Sequence, residues 1–342
     1  MFDELIGNEQ IKQIFRRLLN NGHVPQSLLF AGKDGIGKKK FAIEIAKSFV
    51  CRNLKDFQAC GECSACQRAS HFEFPKDDDK DGHRRVIFSD HSDIGAVIPY
   101  KNNILVDAIR SLEEAANYRP YEGRARIFII DEAEKMNDSA TNALLKTLEE
   151  PIETTYIFLI TSKPSSMLST IISRCQLVRF SPVDTKEIEN LLIKENYPTE
   201  DARLLARISR GSVKDAQEIN LEKYREQRNK MLDVLDSLNG GRNRSVLLKT
   251  AEELSDAKNK DAYEENLEIL QTLIYDIWTL KNDTNAEIAN FDISNKIKSF
   301  AETAEIRTIS KWLEEIEILF ENLRSNLNKK IAADALFMKM VN

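Results

Sequence analysis

The sequence predicts an α/β domain built on a parallel sheet, followed by an all-helical region. Three observations predict it. The short apolar runs "SLLFAG", "ARIFIID", "TTYIFLITS" and "QLVRF" alternate with amphipathic helical segments as far as Pro182, the pattern of a sheet covered on both faces. A Gly-rich turn joins the first of these strands to a helix. Beyond Pro182 the strand signal stops and helical periodicity takes over.

Each element follows from local chemistry. A first helix is expected from Asn8 to about Asn21, with Ile11, Ile14, Leu18 and Leu19 as its apolar stripe. "SLLFAG" is a buried strand, and the helix after it runs through Phe41, Ile45 and Phe49. Four clustered cysteines come next. The aperiodic stretch "FPKDDDKDGHRR" reads as a solvated loop. "ILVDAIRSLEEAANY" is an amphipathic helix, and "ARIFIID" is a β-branched and aromatic strand ending in acid. "DSATNALLKTLEEP" is a helix with Asp138 as its expected N-cap and Pro151 as its stop. Short helices are expected from about 184 to 219. Longer ones follow, with one stripe through Leu267, Leu270, Ile274, Ile277 and Trp278. A second runs through Ile309, Trp312, Leu313, Ile316, Leu319 and Leu323. "LNGGRN" reads as a turn between helices. The expected domains are 1–182, with a cysteine module at about 51–66, then a small helical domain at 183–220 and a helical domain at 221–342.

Composition narrows the function classes. The chain has 342 residues, 42% hydrophobic and 30% charged, which suffices for two or three cores. Its formal net charge of -6 argues against polyanion binding by bulk charge. "MFDELIGNEQ" lacks the basic-then-apolar pattern of a signal peptide, and no apolar run is long enough to cross a bilayer. A cytoplasmic protein without membrane contact is expected.

"AGKDGIGKKKFAIEIAKSF" carries the first chemical signal. Gly32, Gly35, Gly37 and Lys38 fit a phosphate-binding loop, whose backbone N–H groups and helix end would surround an anion. The next position should hold a hydroxyl for Mg²⁺, and it holds Lys39. At ~4 Å and an effective dielectric of ~20, each unit-charge pair is worth about 4 kcal/mol, so an ammonium there opposes a divalent ion. Asp131 and Glu132, at the end of "RIFIID", are the acids that would hold Mg²⁺ and polarise water in an active ATPase. ATP and Mg²⁺ are not expected to be turned over. A purely structural turn, or passive nucleotide binding, are the alternatives.

Cys51, Cys60, Cys63 and Cys66 are spaced C-x8-C-x2-C-x2-C. That spacing suits a closed, structural Cys₄ zinc site better than disulfides or scattered core thiols. His71 is close in sequence but reads as a surface residue. Cys175 belongs to a different motif.

That motif is Ser173-Arg174-Cys175, in "SMLSTIISRCQLVRF". The Gly-rich loop, the four cysteines, "IFIIDEAEKMNDSATNALLKTLEEP" and "TSKPSSMLSTIISRCQ" occur in one order. This order resembles the bacterial clamp-loader AAA+ subunits of DNA polymerase III. The resemblance covers about residues 1–220 and continues more faintly to "NLNKKIAADALFMKM". It implies an AAA+ P-loop module with an embedded zinc loop, a helical lid and an all-α collar domain.

The family contains motor subunits (gamma/tau) with an intact loop and a delta-prime branch with a degraded one. Lys39 places the chain with the delta-prime branch. The resemblance then implies Arg174, flanked by Ser173 and Cys175, as an arginine finger acting in trans on a neighbour's ATP. It implies no ATPase activity of the chain alone, which would be an accessory subunit of the polymerase holoenzyme. Lys214 stands at the second nucleotide sensor, where motor subunits carry Arg, and Thr161-Ser162 matches the first. The implied partners are gamma/tau motor subunits, the delta subunit, the sliding clamp, and primed DNA through the assembly. The rival readings are an ATP-hydrolysing motor-type subunit and an unrelated zinc-bearing DNA-binding module.

Overall fold

A computed structural model of the chain describes residues 2–238, 244–254, 260–323 and 328–341. The turn expected at "LNGGRN" lies outside the described residues from 239 to 243. The chain divides into two compact units. One is Met1–Ile188 with Gly211–Asp215, and the other is Glu189–Arg210 with Ala216–Asn342. The segment 183–220 is thus shared between them.

The first unit is built on a six-stranded sheet. Its strands are β1 (Ser27–Ala31), β2 (Ile87–Phe88), β3 (Ile94–Val97), β4 (Arg126–Ile130), β5 (Thr155–Thr161) and β6 (Gln176–Arg179). The order is β2-β3-β4-β5-β1-β6. All pairs are parallel except β2 with β3. The four apolar runs are therefore β1, β4, β5 and β6, and an antiparallel edge adds to the expected parallel sheet. β2 and β3 had escaped because β2 has two residues and β3 contains Gly95. Glycine is needed there, since a Cβ would meet Val86 Cγ1 at 2.5 Å.

Six helices flank this sheet: α1 (Glu9–Asn21), α2 (Lys38–Val50), α3 (Ser64–Ser70), α4 (Val106–Ala116), α5 (Asp138–Glu149) and α6 (Ser169–Ile172). Phe2, Phe15, Phe30, Phe41, Phe158 and Phe180 form a ring cluster with centroids 5.2–6.4 Å apart, tying α1 and α2 to β1 and β5. A second core joins α4 and α5 to β3, β4 and β5 through Ile109, Leu112, Leu144, Phe128 and Leu159.

Three local expectations change. On α1, Phe15 is buried and Ile14 is exposed, because the inward face runs through Ile11 and Phe15 at i, i+4. The N-cap of α5 is Asn137, whose Oδ1 accepts the Ala140 N–H at 2.9 Å, so Asp138 is the first helical residue. In the charged stretch residues 76–81 are exposed, but Gly82 and His83 are buried in a short 3-10 turn.

α7 (Thr185–Lys194) and α9 (Val213–Glu218) are each divided between the units. The second unit contains α8 (Thr199–Ile208), α10 (Leu221–Asp236), α11 (Arg244–Leu254), α12 (Lys260–Asn282), α13 (Ser294–Thr303), α14 (Ile306–Asn322) and α15 (Lys329–Val341). α12 lines its core with Leu267, Leu270, Ile274 and Ile277, while Trp278 stays 40% exposed. The Trp312 indole N–H donates to Met340 O at 2.8 Å, tying α14 to α15. No described helix is long and apolar enough to cross a membrane.

Candidate functional site

The C-terminal ends of β1, β5 and β4 bring the loop and its acids together. β5 lies between the other two, with Ala31 opposite Thr161 and Ile130 opposite Leu159. In open α/β sheets this edge is where ligands bind. Gly37, at φ 93°, leads into α2 at Lys38. The Lys38 ammonium donates to Gly32 O at 2.7 Å and Lys33 O at 2.6 Å. Burial lowers its pKa, opposed by the charges of Asp34, Asp131 and Glu134.

Both acids of the expected pair are neutralised by lysine. Lys39 Nζ lies 3.0 Å from Asp131 Oδ2 and stacks over the Phe74 ring at 4.6 Å. Glu132 takes a left-handed backbone at φ 48° and pairs with Lys135 at 2.5 Å. A cleft of about 490 Å³ opens beside them, lined by Lys39, Phe74, His83, Lys101, Asp131 and Glu132. The Lys39 cation therefore stands on one of the two carboxylates the sequence singles out.

Glu134 was missed in the sequence, although it is three residues past Asp131. Its Oε1 accepts the Ser162 hydroxyl at 2.7 Å and the Ser162 N–H at 3.2 Å. Burial pushes its pKa up, but hydrogen bonds from Ser162 and Thr161 bring it below the ordinary value. The Ser162 hydroxyl is thus tied to a carboxylate within the chain.

Lys214 reaches the loop. Its N–H donates to Gly35 O at 3.2 Å, and its ammonium is 3.7 Å from Asp34. Gly35 is required there. Its φ is +74°, and a Cβ would meet Ser212 Oγ at 2.1 Å and Lys214 Cβ at 2.8 Å. The segment 211–215 therefore packs directly against the tip of the phosphate loop.

Arg174 stands elsewhere. It follows α6 and reaches Glu149, the last residue of α5, with Nε 2.8 Å from Oε1 and Nη2 on the same oxygen. Nη1 donates to Thr170 O at 3.0 Å. Asn137, which follows the acids in sequence, caps the opposite end of α5, about 18 Å away along the axis. Arg174 is one-third exposed. Ser173 donates its hydroxyl to Thr170 O at 3.1 Å. Cys175 packs in the core, where burial pushes its thiol up to about 12, so it is neutral at physiological pH.

Cys51, Cys60, Cys63 and Cys66 bring all four sulfurs within 4.8 Å of one another. Cys51 Sγ is 3.6 Å from Cys60 Sγ and 4.0 Å from Cys63 Sγ, and Cys60 to Cys66 is also 4.0 Å. Ligands at ~2.3 Å from one tetrahedral ion would be about 3.8 Å apart, whereas a disulfide needs ~2.05 Å. The spacing fits a metal ion. The backbone N–H groups of Cys60 and Cys63 point at the sulfurs of Cys51 and Cys60, both at 3.3 Å. Burial raises the Cys51 and Cys66 thiols, whereas at Cys63 burial is outweighed by backbone and side-chain hydrogen bonds, which lower the thiol to about 6. His71 remains at the surface, 2.9 Å from Asp90. Glu122 fastens the module to the loop before β4, accepting from Arg68 at 2.7 and 2.9 Å and from Arg52 at 3.2 Å.

With this geometry in place, comparison with known proteins decides the family. Residues 7–184 match the family described as "DNA polymerase III, delta subunit", and residues 222–339 match "DNA polymerase III, delta subunit, C terminal". The chain belongs to the DNA polymerase III delta-subunit family. This family member is 27% identical over 325 residues to DNA polymerase III subunit delta' of Bacillus subtilis (strain 168). That match covers 94% of this chain and 93% of the relative. It is 31% identical over 194 residues to DNA polymerase III subunit delta' of Escherichia coli (strain K12), covering 56% of this chain and 52% of the relative. Its similarity to DNA polymerase III subunit tau/gamma of Haemophilus influenzae is 31% over 221 residues, covering 63% of this chain and 30% of that longer protein. The α/β unit on a largely parallel sheet and the four-cysteine cluster are those the sequence led us to expect.

Proposed function

We propose that this chain is a delta-prime-type clamp-loader subunit that does not hydrolyse ATP and supplies Arg174 in trans to a neighbouring motor subunit. The contact between Lys39 and Asp131 carries this reading. A cation at 3.0 Å from the strand-end carboxylate opposes Mg²⁺ at the same place, by about 4 kcal/mol per unit charge at short range. The Glu132–Lys135 pair neutralises the second acid of the cleft as well.

Arg174 supports the other half. It lies at the far end of α5 from its own loop, so its guanidinium serves a phosphate outside the chain. The subunit works in a ring with gamma/tau motor subunits and delta, loading the sliding clamp onto primed DNA during replication. The four cysteines hold a structural zinc ion. A closed Cys₄ shell leaves no open position for water, so the ion's part is folding.

The test is a reconstituted complex with the cognate motor and delta subunits. Arg174→Ala should leave assembly intact and lower ATPase in part, because one of several pockets loses its finger. A finger contributes ~10³-fold or more to its own site. Clamp loading should fall further than ATPase. Arg174→Lys should behave nearly as badly, since an ammonium lacks the planar fork. An unchanged loading rate for Arg174→Ala would overturn the proposal.

The retained acids and the tau/gamma similarity favour one second reading, a motor-type subunit. Isolated chain with ATP and Mg²⁺ separates the two. Turnover of order 1 s⁻¹ or faster would support the motor reading.

A further inference from the structure

Arg174 is not a loose surface side chain. Its Nε, at 2.8 Å, and its Nη2 converge on Glu149 Oε1 from one side. Nη1 meets Thr170 O at 3.0 Å and Ser173 Oγ at 3.4 Å from the other. A guanidinium has five N–H donors. Among the described residues these contacts engage four at most, so at least one Nη2 N–H is left for an oxygen outside the chain.

Glu149 sits where a carboxylate is disfavoured by its own helix. It ends α5, at the negative end of the helix dipole. Nothing in the core of the unit needs it, because its side chain is 48% exposed. Its contacts are with the Arg174 fork. An arginine of this exposure loses considerable rotamer freedom when it is held in one pose. A fork fixed beforehand presents its donors to developing charge without reorganisation.

We propose that Glu149 is a positioning residue for Arg174, setting the plane of the guanidinium before a neighbour's phosphate meets it. The proposal rests on the reading of Arg174 as a finger in trans. Glu149 acts through Arg174 alone, and a multiply charged phosphate joins the fork at its outward edge rather than competing for Oε1.

The experiment is a double-mutant cycle in the reconstituted complex, with steady-state ATPase measured over a range of ATP concentrations. Assembly is checked by size exclusion. Glu149→Ala should remove at least half of the ATPase component that Arg174→Ala removes, as a loss in kcat with KM for ATP changed less than about twofold. In the Arg174→Ala background, Glu149→Ala should do nothing more. Glu149→Gln keeps the oxygen acceptor and loses the charge, so it should fall between wild type and Glu149→Ala. It also serves if the alanine variant fails to assemble.

The inference is overturned if Arg174→Ala lowers the rate while both Glu149 variants keep or exceed wild-type kcat. It is equally overturned if Glu149→Ala costs the same factor with and without Arg174, which would mark a merely structural role. If Arg174→Ala itself changes nothing, the finger reading fails first, and that result is distinct from the other two.

Discussion

Lys39 Nζ stands 3.0 Å from Asp131 Oδ2, so the residue after the loop lysine neutralises the acid that follows β4, a strand separated from β1 by β5. The two belong to α2 and to the residue following β4. One substitution in the loop thus changes the electrostatics of both halves of the pocket.

Lys39→Thr should not by itself give robust ATPase in the isolated chain. It restores a hydroxyl and releases Asp131. Glu132 still pairs with Lys135, Lys38 still lies on the Gly32 and Lys33 carbonyls, and the 211–215 segment still packs on Gly35. A neighbour's finger is missing too. Steady-state ATPase with Mg²⁺ checks this, and fast turnover by the single variant would show that Lys39 was the whole lesion.

Protein purified without added metal should carry about one zinc per chain. Cys60→Ser or Cys63→Ser should abolish it and lower the melting temperature by several degrees, since metal binding free energy is folding free energy here. Elemental analysis beside a thermal melt decides the matter. A fully folded, metal-free wild-type chain would contradict the prediction.

Acid should loosen the grip on the cysteine module through Glu122. The Arg68 hydrogen bonds hold its carboxyl down to about 2, from an ordinary 4.5. A depressed folded value means the stabilisation is present above 4.5 and is lost as pH falls toward 2. Glu122→Gln should remove on the order of 1–2 kcal/mol at neutral pH, allowing for solvent screening, and should flatten the stability curve across that window. Urea unfolding at several pH values reads both effects.

Asn290→Ala should destabilise the second unit by about 2–4 kcal/mol. Asn290 is fully buried. Its Oδ1 accepts from Tyr224 OH at 2.7 Å and Arg228 Nη1 at 3.0 Å, while its Nδ2 donates to Asp276 at 2.8 Å. Removing the amide leaves a phenol, a guanidinium and a carboxylate short of partners. Chemical denaturation measures the loss, and a change under 1 kcal/mol would mean that water replaces the amide.

The sequence by itself determined the long, strongly patterned elements. "SLLFAG", "RIFIID" and "YIFLIT" are runs of apolar and β-branched residues long enough to be strands on any surface that buries them. The spacing of Cys51, Cys60, Cys63 and Cys66 was enough to propose a shared metal, because ligand geometry is local. Lys39 could be recognised as a misfit because a phosphate loop fixes which residue type follows its lysine.

Tertiary structure decided everything that depends on a partner far along the chain. β2 and β3 are too short for a periodic signal; β3 exists because β4 supplies its ladder, and β2 because β3 does. Phe15 rather than Ile14 faces inward because the ring cluster with Phe30 and Phe41 sets the rotation of α1. Lys39 was visible as an odd residue, but its contact with Asp131 spans 92 positions, since 131 − 39 = 92. Glu134 on Ser162, Glu149 on Arg174 and Lys214 on Gly35 are of the same kind. Each is a short polar contact made by elements the sheet and its helices bring together, and local periodicity carries no information about which acid a given lysine or arginine will meet.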